Sequence, residues 1–159
     1  MALAYLGFGS NIGDSRTYIE KALSALKRFG LIKDVSLFFR TEPVGPVPQA
    51  WFVNCVAALE TQVAPEELMK ASLVIEQEMG RERSISQGPR TLDIDILLYG
   101  NSILDTPHLM IPHPRMHERR FVLVPLAEIA PQTVHPLLGK TIAALLEECT
   151  DPSIVQRLP

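Results

Sequence analysis

Short apolar segments alternate with polar turns along the 159-residue chain, and their spacing predicts its secondary structure. The segment "ALAYLGFG", residues 2–9, predicts a strand that leads into a polar turn. This turn offers a helix cap at Asp14 or Ser15. Apolar residues then recur at helical spacing to about Phe29, and Gly30 is expected to end that helix.

The rest of the chain continues this pattern of strands and helices. In chain order we expect a strand at 32–40, a proline-rich loop at 41–50, a strand at 51–61, a helix from Pro65 to about Met79, a polar loop at 81–90 and a strand at 91–100. This order predicts a ferredoxin-like βαββαβ unit, an α+β fold (an α/β sandwich) whose antiparallel sheet carries both helices on one face. We expect the other face to be open. Additional C-terminal helices are predicted at 121–129 and 141–149.

Composition narrows the class of protein. With 47% hydrophobic and 21% charged residues, the chain is typical of a globular protein, and its length predicts a single domain, 1-159. It contains no apolar run of the roughly 18–20 residues that cross a bilayer, and its start does not resemble a signal peptide, so we expect a cytoplasmic protein without a membrane partner. The formal net charge of -3 argues against a nucleic-acid partner.

The segment "GPRTLDIDILLYG" places two aspartates in an apolar strand. Because side chains alternate along a strand, Asp93 and Asp95 should face away from the helices. Two such carboxylates can hold one or two Mg²⁺ ions together with substrate phosphates, although an exposed polar strand face would give the same pattern. Arginines cluster nearby between residues 81 and 120, which favours an anion site.

Other residues suggest a ligand near these aspartates. Phe52 and Asn54 share a strand face and could stack on and bond a flat heterocycle, although a strand aromatic is more often a core residue. Gly7 and Gly9 also share a face, where their bare backbone lets a ligand or another segment approach. His113 is interpreted as a phosphate or proton partner or an ordinary surface histidine.

Five segments of the chain closely resemble the 6-hydroxymethyl-7,8-dihydropterin pyrophosphokinase family of folate biosynthesis. They run in order from Ala4 to about Pro136, and the aspartate motif is highly specific: "RTEPVGP", "FVN", "GRER", "GPRTLDIDILLYG" and "PHPRMHERRFVLVPL". The resemblance implies a ferredoxin-like fold, ATP as co-substrate and two Mg²⁺ ions. It also implies transfer of pyrophosphate from ATP to the pterin hydroxymethyl group, with release of AMP. We expect the protein to be a monomer.

The resemblance also implies roles for the matching residues. The catalytic residues would be Arg81, Arg90, Asp93 and Asp95, of which the two aspartates would bind both metal ions. The pterin would be held by Thr41, Val44, Phe52, Asn54 and Phe121. The nucleotide would be contacted by Glu76, Arg81, Arg83, Arg90, His113 and Arg119. Some family members have different residues where this chain has Gln87, His108 and Pro114.

Two other functions fit the residues taken by themselves. The same carboxylates could activate water in a two-metal phosphodiesterase, which would hydrolyse its substrate without any pterin. A non-catalytic ferredoxin-like module, for RNA or as a regulatory ligand domain, is the second alternative. RNA-binding sheets of this topology usually carry paired aromatics in a characteristic sequence that is not visible here.

Overall fold

The structure, a computed structural model, describes residues 1–43, 45–80 and 91–159. Its strands are β1 (Ala2–Ser10), β2 (Leu31–Val35), β3 (Phe39–Thr41), β4 (Phe52–Thr61), β5 (Asp93–Tyr99), β6 (Leu104–Asp105), β7 (Met110–Ile111) and β8 (Val155–Arg157). Its helices are α1 (Ser15–Leu26), α2 (Pro65–Glu78), α3 (Arg120–Ile129) and α4 (Ile142–Glu148), with a 3-10 turn at Met116–Glu118. No helix in the described ranges is long and apolar enough to cross a membrane.

Six of these strands form one antiparallel sheet in the order β5-β1-β4-β3-β8, in which β2 also pairs with β4. The predicted order of strands and helices is confirmed, since β1, α1, β2 with β3, β4, α2 and β5 follow one another as a βαββαβ unit. In this arrangement β1 and β4 lie in the middle of the sheet. Side chains on these two strands are therefore best placed to be covered on both faces.

The single strand expected at 32–40 is divided into two. Between β2 and β3, Ser36 N–H donates to the Val56 carbonyl at 2.8 Å, and the Ser36 hydroxyl accepts the Val56 N–H at 2.9 Å. A buried serine side chain thus replaces one of the two backbone bonds at this point, and the regular strand is interrupted. The following strand, β3, includes Thr41, which was expected to begin the loop.

One face of the sheet packs against α1 and α2, as predicted. Alternate residues of β1, β4 and β5 pack there with helix residues around Ile19 and Ile75, and Asp14 caps α1 by accepting the Thr17 N–H at 3.2 Å. Burying these large aliphatic and aromatic side chains contributes about 1.5–3 kcal/mol each. Leu92 belongs to this core, so the strand that carries the aspartates is anchored by its apolar residues.

The expectation of an open second face is wrong for much of the sheet. A second core, centred on Leu123 and Leu126 of α3, packs against Tyr5, Leu97 and Leu98. The β1–β5 register shifts between Tyr5 and Leu6, which lets both Leu97 and Leu98 join this core. The apolar run "ILLY" already indicated burial on two sides, because a strand covered on both faces is hydrophobic throughout.

The shortest strands were not predicted. β6 pairs with β7 in a separate two-stranded sheet, and β8 pairs with β3 at the sheet edge. A segment of two or three residues is too short to show the alternation of apolar and polar side chains that predicts a strand. The positions of these strands depend on partners that are distant in the chain.

Gly30 has a different role from the expected helix stop. The helix α1 ends at Leu26, with Lys27 as its C-cap. Gly30 does not have a positive φ, so it does not adopt the left-handed conformation of a glycine that ends a helix. A Cβ atom at Gly30 would lie 2.2 Å from the carbonyl oxygen of Glu60. The glycine is therefore required by the close approach of two backbone segments.

We expect Gly30→Ala to lower the free energy of unfolding by about 3 kcal/mol, because the added methyl group must push β4 away. The control is Gly139→Ala: there, nothing lies within 4 Å of the added Cβ, but φ is 67°. Its cost should be limited to about 1–2 kcal/mol of backbone strain. Urea unfolding at matched m-values measures the free energy of unfolding of both variants. A smaller loss for Gly30→Ala than for Gly139→Ala would contradict the steric role of Gly30.

Candidate active site

Two rows of residues cross the middle of the sheet on its second face. In the first row Gly9 of β1 pairs with Asp93 on one side and Asn54 on the other; in the second, Gly7 pairs with Asp95. Residues directly opposite one another in an antiparallel sheet share a face. The two aspartates and the asparagine are therefore separated by a floor without side chains.

This floor belongs to a pocket that α3 and α4 leave uncovered. The walls are the end of β3, the first residues of β4 and the start of α3. The predicted site residues that meet at the pocket are Thr41, Phe52, Asn54, Asp93, Asp95, Arg119 and Phe121. Predicted residues as distant in the chain as Thr41 and Phe121 thus line one cavity, which includes residues assigned to the pterin, the nucleotide and the metal.

The floor must be glycine at one position in particular. A Cβ at Gly9 would lie 2.6 Å from Asn54 Oδ1, whereas a Cβ at Gly7 would make an ordinary contact, 3.5 Å from the Leu97 side chain. Asn54 is 7% exposed, and its Nδ2 donates to Thr41 Oγ1 at 2.5 Å. This bond fixes the amide with its oxygen over Gly9, as a hydrogen-bond acceptor beside the pocket.

Two aromatic rings come to the pocket from different layers. Phe52 lies at the start of β4, and Phe121 lies in the first turn of α3; both are half-buried. The guanidinium carbon of Arg119 lies 5.6 Å from the centre of the Phe121 ring. A flat heterocycle can use these faces, and a cation is held next to them.

The cationic side of the pocket is partly buried. Burial lowers the pKa of Arg119, while Asp95 acts in the opposite direction. His113 is not among the residues that line the pocket, but it lies near Arg119 and Asp93. Burial, aided by Arg119, lowers its pKa to about 4, and Asp93 acts in the opposite direction. Arg115 N–H donates to His113 Nδ1 at 3.2 Å, so the neutral ring carries its proton on Nε2.

Several predicted residues lie elsewhere. Glu76 is 2% exposed in α2, beneath the sheet, where its Oε2 accepts the Ile94 N–H at 2.7 Å. It is therefore held against the strand segment between the two aspartates and does not line the pocket. The remaining predicted site residues lie outside the described residues: Val44, Arg81, Arg83 and Arg90. Gln87 lies outside them as well.

Glu42, which was not predicted from the sequence, lines the pocket directly after Thr41. The only signal was its position next to a predicted site residue. A strand that ends at Thr41, instead of a loop that begins there, would have indicated that the following carboxylate stands at the pocket edge.

The donor set suits a magnesium ion. Asp93 and Asp95 supply two hard oxygen donors on one face, and their strand neighbours on β1 are glycines that leave room above the sheet. Among residues 1–43, 45–80 and 91–159, no group of three or more His, Cys, Asp or Glu side chains could hold a metal ion. Mg²⁺ commonly takes one or two carboxylates and completes its shell with water and substrate phosphates, so these residues fit it.

Comparisons with known proteins identify the family of this chain. The family model described as 7,8-dihydro-6-hydroxymethylpterin-pyrophosphokinase (HPPK) matches residues 5–131. A 2-amino-4-hydroxy-6-hydroxymethyldihydropteridine pyrophosphokinase of Pseudomonas aeruginosa is 45% identical over 157 residues, which are 98% of this chain and 96% of the relative. The enzyme of the same name from Bacillus subtilis is 45% identical over 132 residues, covering 82% of this chain and 79% of the relative.

Solved structures support the fold. A Plasmodium falciparum HPPK-DHPS has a TM-score of 0.78 at 17% identity, over 92% of this chain and 45% of that chain. This chain therefore spans less than half the length of that solved structure. A match through most of the sequence, with a fold shared at low identity, leads to one assignment: the chain belongs to the 7,8-dihydro-6-hydroxymethylpterin-pyrophosphokinase family.

Proposed function

We propose that this chain carries out its family's reaction, pyrophosphoryl transfer from ATP to 6-hydroxymethyl-7,8-dihydropterin in folate synthesis, at the pocket over Gly7 and Gly9. The placement of the reaction at this pocket rests on the pairing register of β5, β1 and β4. This register sets Asp93 and Asp95 across a bare glycine floor from Asn54. Groups suited to phosphate and to a heterocycle therefore stand on two sides of one cavity.

The reaction itself follows from its products. Release of AMP requires the pterin hydroxyl oxygen to form a bond to the β-phosphorus of ATP while the bond from that phosphorus to the α,β-bridging oxygen breaks. The bridging oxygen leaves with AMP, and the hydroxyl proton passes to solvent. Such a transfer needs positioning and neutralisation of charge more than a covalent enzyme intermediate.

The pterin end of the pocket is assigned to strand β4 and helix α3. Asn54 Oδ1 accepts a hydrogen bond from an N–H on the heterocycle edge, and Thr41 holds the amide in that orientation. Phe52 and Phe121 supply the stacking faces. The backbone at Val44 is retained as a contact on the strength of the family resemblance alone.

The phosphate end is assigned to the cationic side. Arg119, in the pocket wall, faces the charge of the triphosphate, and neutral His113 donates from Nε2 to a phosphate oxygen. Arg81, Arg83 and Arg90 are assigned to the nucleotide or the transferred group by resemblance. Glu76 is assigned to the nucleotide on the same basis. The hydrogen bond that it accepts from the Ile94 N–H also holds the strand that carries Asp93 and Asp95.

Asp93 and Asp95 would hold the Mg²⁺ ions, two by family resemblance, and bound Mg²⁺ would neutralise phosphate charge. With the ions bound, the two carboxylates would position the triphosphate over the glycine floor. The proposal extends to a monomer with one domain, residues 1-159, acting in the cytoplasm.

We expect Asp93→Asn and Asp95→Asn each to reduce kcat by at least about 10³-fold, because each removes a charged donor for the metal. Asp105→Asn, at an exposed carboxylate of β6, is the matched control and should keep full activity. The assay is a phosphorus NMR time course that follows AMP with and without pterin. Full activity of either site variant would contradict the metal assignment, and AMP formed without pterin would favour a hydrolase.

Asn54→Ala should raise the Kd of the dihydropterin about 10- to 100-fold, because a buried acceptor for the heterocycle edge is lost. The Kd of ATP should change little. Asn101→Ala, in an exposed turn, is the control. Calorimetric titration measures both ligands, and equal weakening of ATP and pterin would mean that the variant distorts the whole pocket.

The lowered pKa of His113 predicts an acid-sensitive component of stability. The unfolded chain binds the proton near pH 6.5 and the native protein only near pH 4, so this stability is present above pH 6.5 and is lost as the pH falls to 4. Between pH 7 and 4.5, His113→Gln should lose less unfolding free energy than the wild type, by roughly 1–2 kcal/mol.

Urea unfolding in magnesium-free buffer at both pH values makes this measurement. The exposed His108→Gln is the control and should follow the wild type. Parallel losses in the wild type and His113→Gln would show that burial does not oppose protonation of His113.

A further inference from the structure

The helix that carries one wall of the pocket begins without a cap of its own. Its N-cap residue is Arg119, whose side chain makes no capping hydrogen bond to any described residue. Arginine has only donors, whereas the first N–H groups of a helix need an acceptor. The preferred residues at this position are Ser, Thr, Asp and Asn. The start of α3 therefore needs an acceptor from elsewhere.

The pocket explains why an arginine stands at this unfavourable position. Arg119 lines the cavity beside Asp95, and Phe121 follows two residues later. A positive side chain at a helix N-terminus is opposed by the helix dipole as well as by the missing cap. The site thus requires at position 119 a residue that local helix stability disfavours.

Asp151 supplies the missing acceptor from 31 residues downstream. Its Oδ2 accepts the Arg120 N–H at 2.9 Å. Its Oδ1 accepts both the N–H of Ser153, at 2.9 Å, and the hydroxyl of Ser153, at 2.6 Å. Burial favours the neutral acid, but these hydrogen bonds outweigh it, and the pKa of Asp151 is lowered. The cap is a fixed, ionised carboxylate that also complements the helix dipole.

The residues after Asp151 are bonded to the opposite wall of the pocket. Ile154 N–H donates to Glu42 Oε1 at 2.6 Å, and Glu42 N–H donates to the Ile154 carbonyl at 3.1 Å. Val155 then pairs with Thr41 in the β8–β3 ladder. A segment of five residues, 151–155, thus joins the start of α3 to the end of β3.

We propose that Asp151 is a positioning residue: it caps α3 in place of Arg119, so that Arg119 and Phe121 stand at the pocket at a fixed distance from the β3 wall. The inference rests on the proposed function of this pocket. It assigns a role in ligand binding to a C-terminal residue that lies outside the pocket lining. Asp151 acts through the helix start and touches neither substrate.

The test compares two helix caps in the same protein. Asp151→Ala removes the cap of α3, and Thr141→Ala removes that of α4, where Thr141 Oγ1 accepts the Ala144 N–H at 3.1 Å. Both should lower Tm by similar amounts. Calorimetric titration then measures the Kd of α,β-methylene-ATP, an analogue that cannot release AMP, and the Kd of the dihydropterin in its presence.

We expect Asp151→Ala to raise both Kd values about five- to tenfold, and Thr141→Ala to leave them unchanged. Asp151→Asn keeps an acceptor and should restore both to within about threefold of the wild type. If Asp151→Ala does not fold, Ser153→Ala, which removes one donor that fixes the carboxylate, should show the same effect at smaller amplitude.

Wild-type Kd values in Asp151→Ala, with a lowered Tm, would overturn the proposal and leave Asp151 a purely structural cap. An equal loss of affinity in Thr141→Ala would overturn it as well, because any helix cap would then have the same effect. Wild-type protein that binds both ligands but forms no AMP when ATP replaces the analogue would contradict the proposed function alone.

Discussion

The pairing register of three neighbouring strands is the constraint on which the site depends. β1 lies between β5 and β4, and its glycines stand opposite the aspartates on one side and Asn54 on the other. A shift of one residue would turn the carboxylates into the helix-covered core, because side chains alternate across a strand. The apolar residues that alternate with the aspartates, Leu92, Ile94 and Ile96, prevent this, since they belong to the core beneath α1 and α2. The same packing that stabilises the sheet therefore orients its charged groups.

The second face combines two requirements, an apolar cover and an open cavity. α3 and α4 bury the part of the face around Leu97 and Leu98 and stop short of the glycine floor. Where the cover ends, the first residues of α3 become a pocket wall. Partial burial lowers the pKa of Arg119 in this wall and of His113 near it, because removal from water disfavours the charged form of each side chain. A polar site of this kind strengthens electrostatic contacts with a charged ligand.

Long-range hydrogen bonds join elements that the sheet alone would leave apart. Glu76 links α2 to the backbone of β5, and Asp151 links the C-terminal segment to the start of α3. Each uses a carboxylate to satisfy a backbone N–H, which is stronger than a neutral pair. Several groups that line the pocket are therefore held from behind by residues that do not line it. Local propensity would not predict this at Arg119, where the position favours a capping residue and the pocket requires a cation.

The sequence by itself determined the order of the elements in the βαββαβ unit, the face on which the aspartates lie and, through family resemblance, seven of the residues that line the pocket. Periodicity and local motifs carry this information because each depends on residues near one another in the chain. The tertiary structure alone decided that α3 and α4 cover the second face, that β8 closes the sheet edge, that Gly30 is required by the Glu60 carbonyl and that Asp151 caps a helix far from it in sequence. These features depend on contacts between distant segments, which come close only when the whole chain has packed.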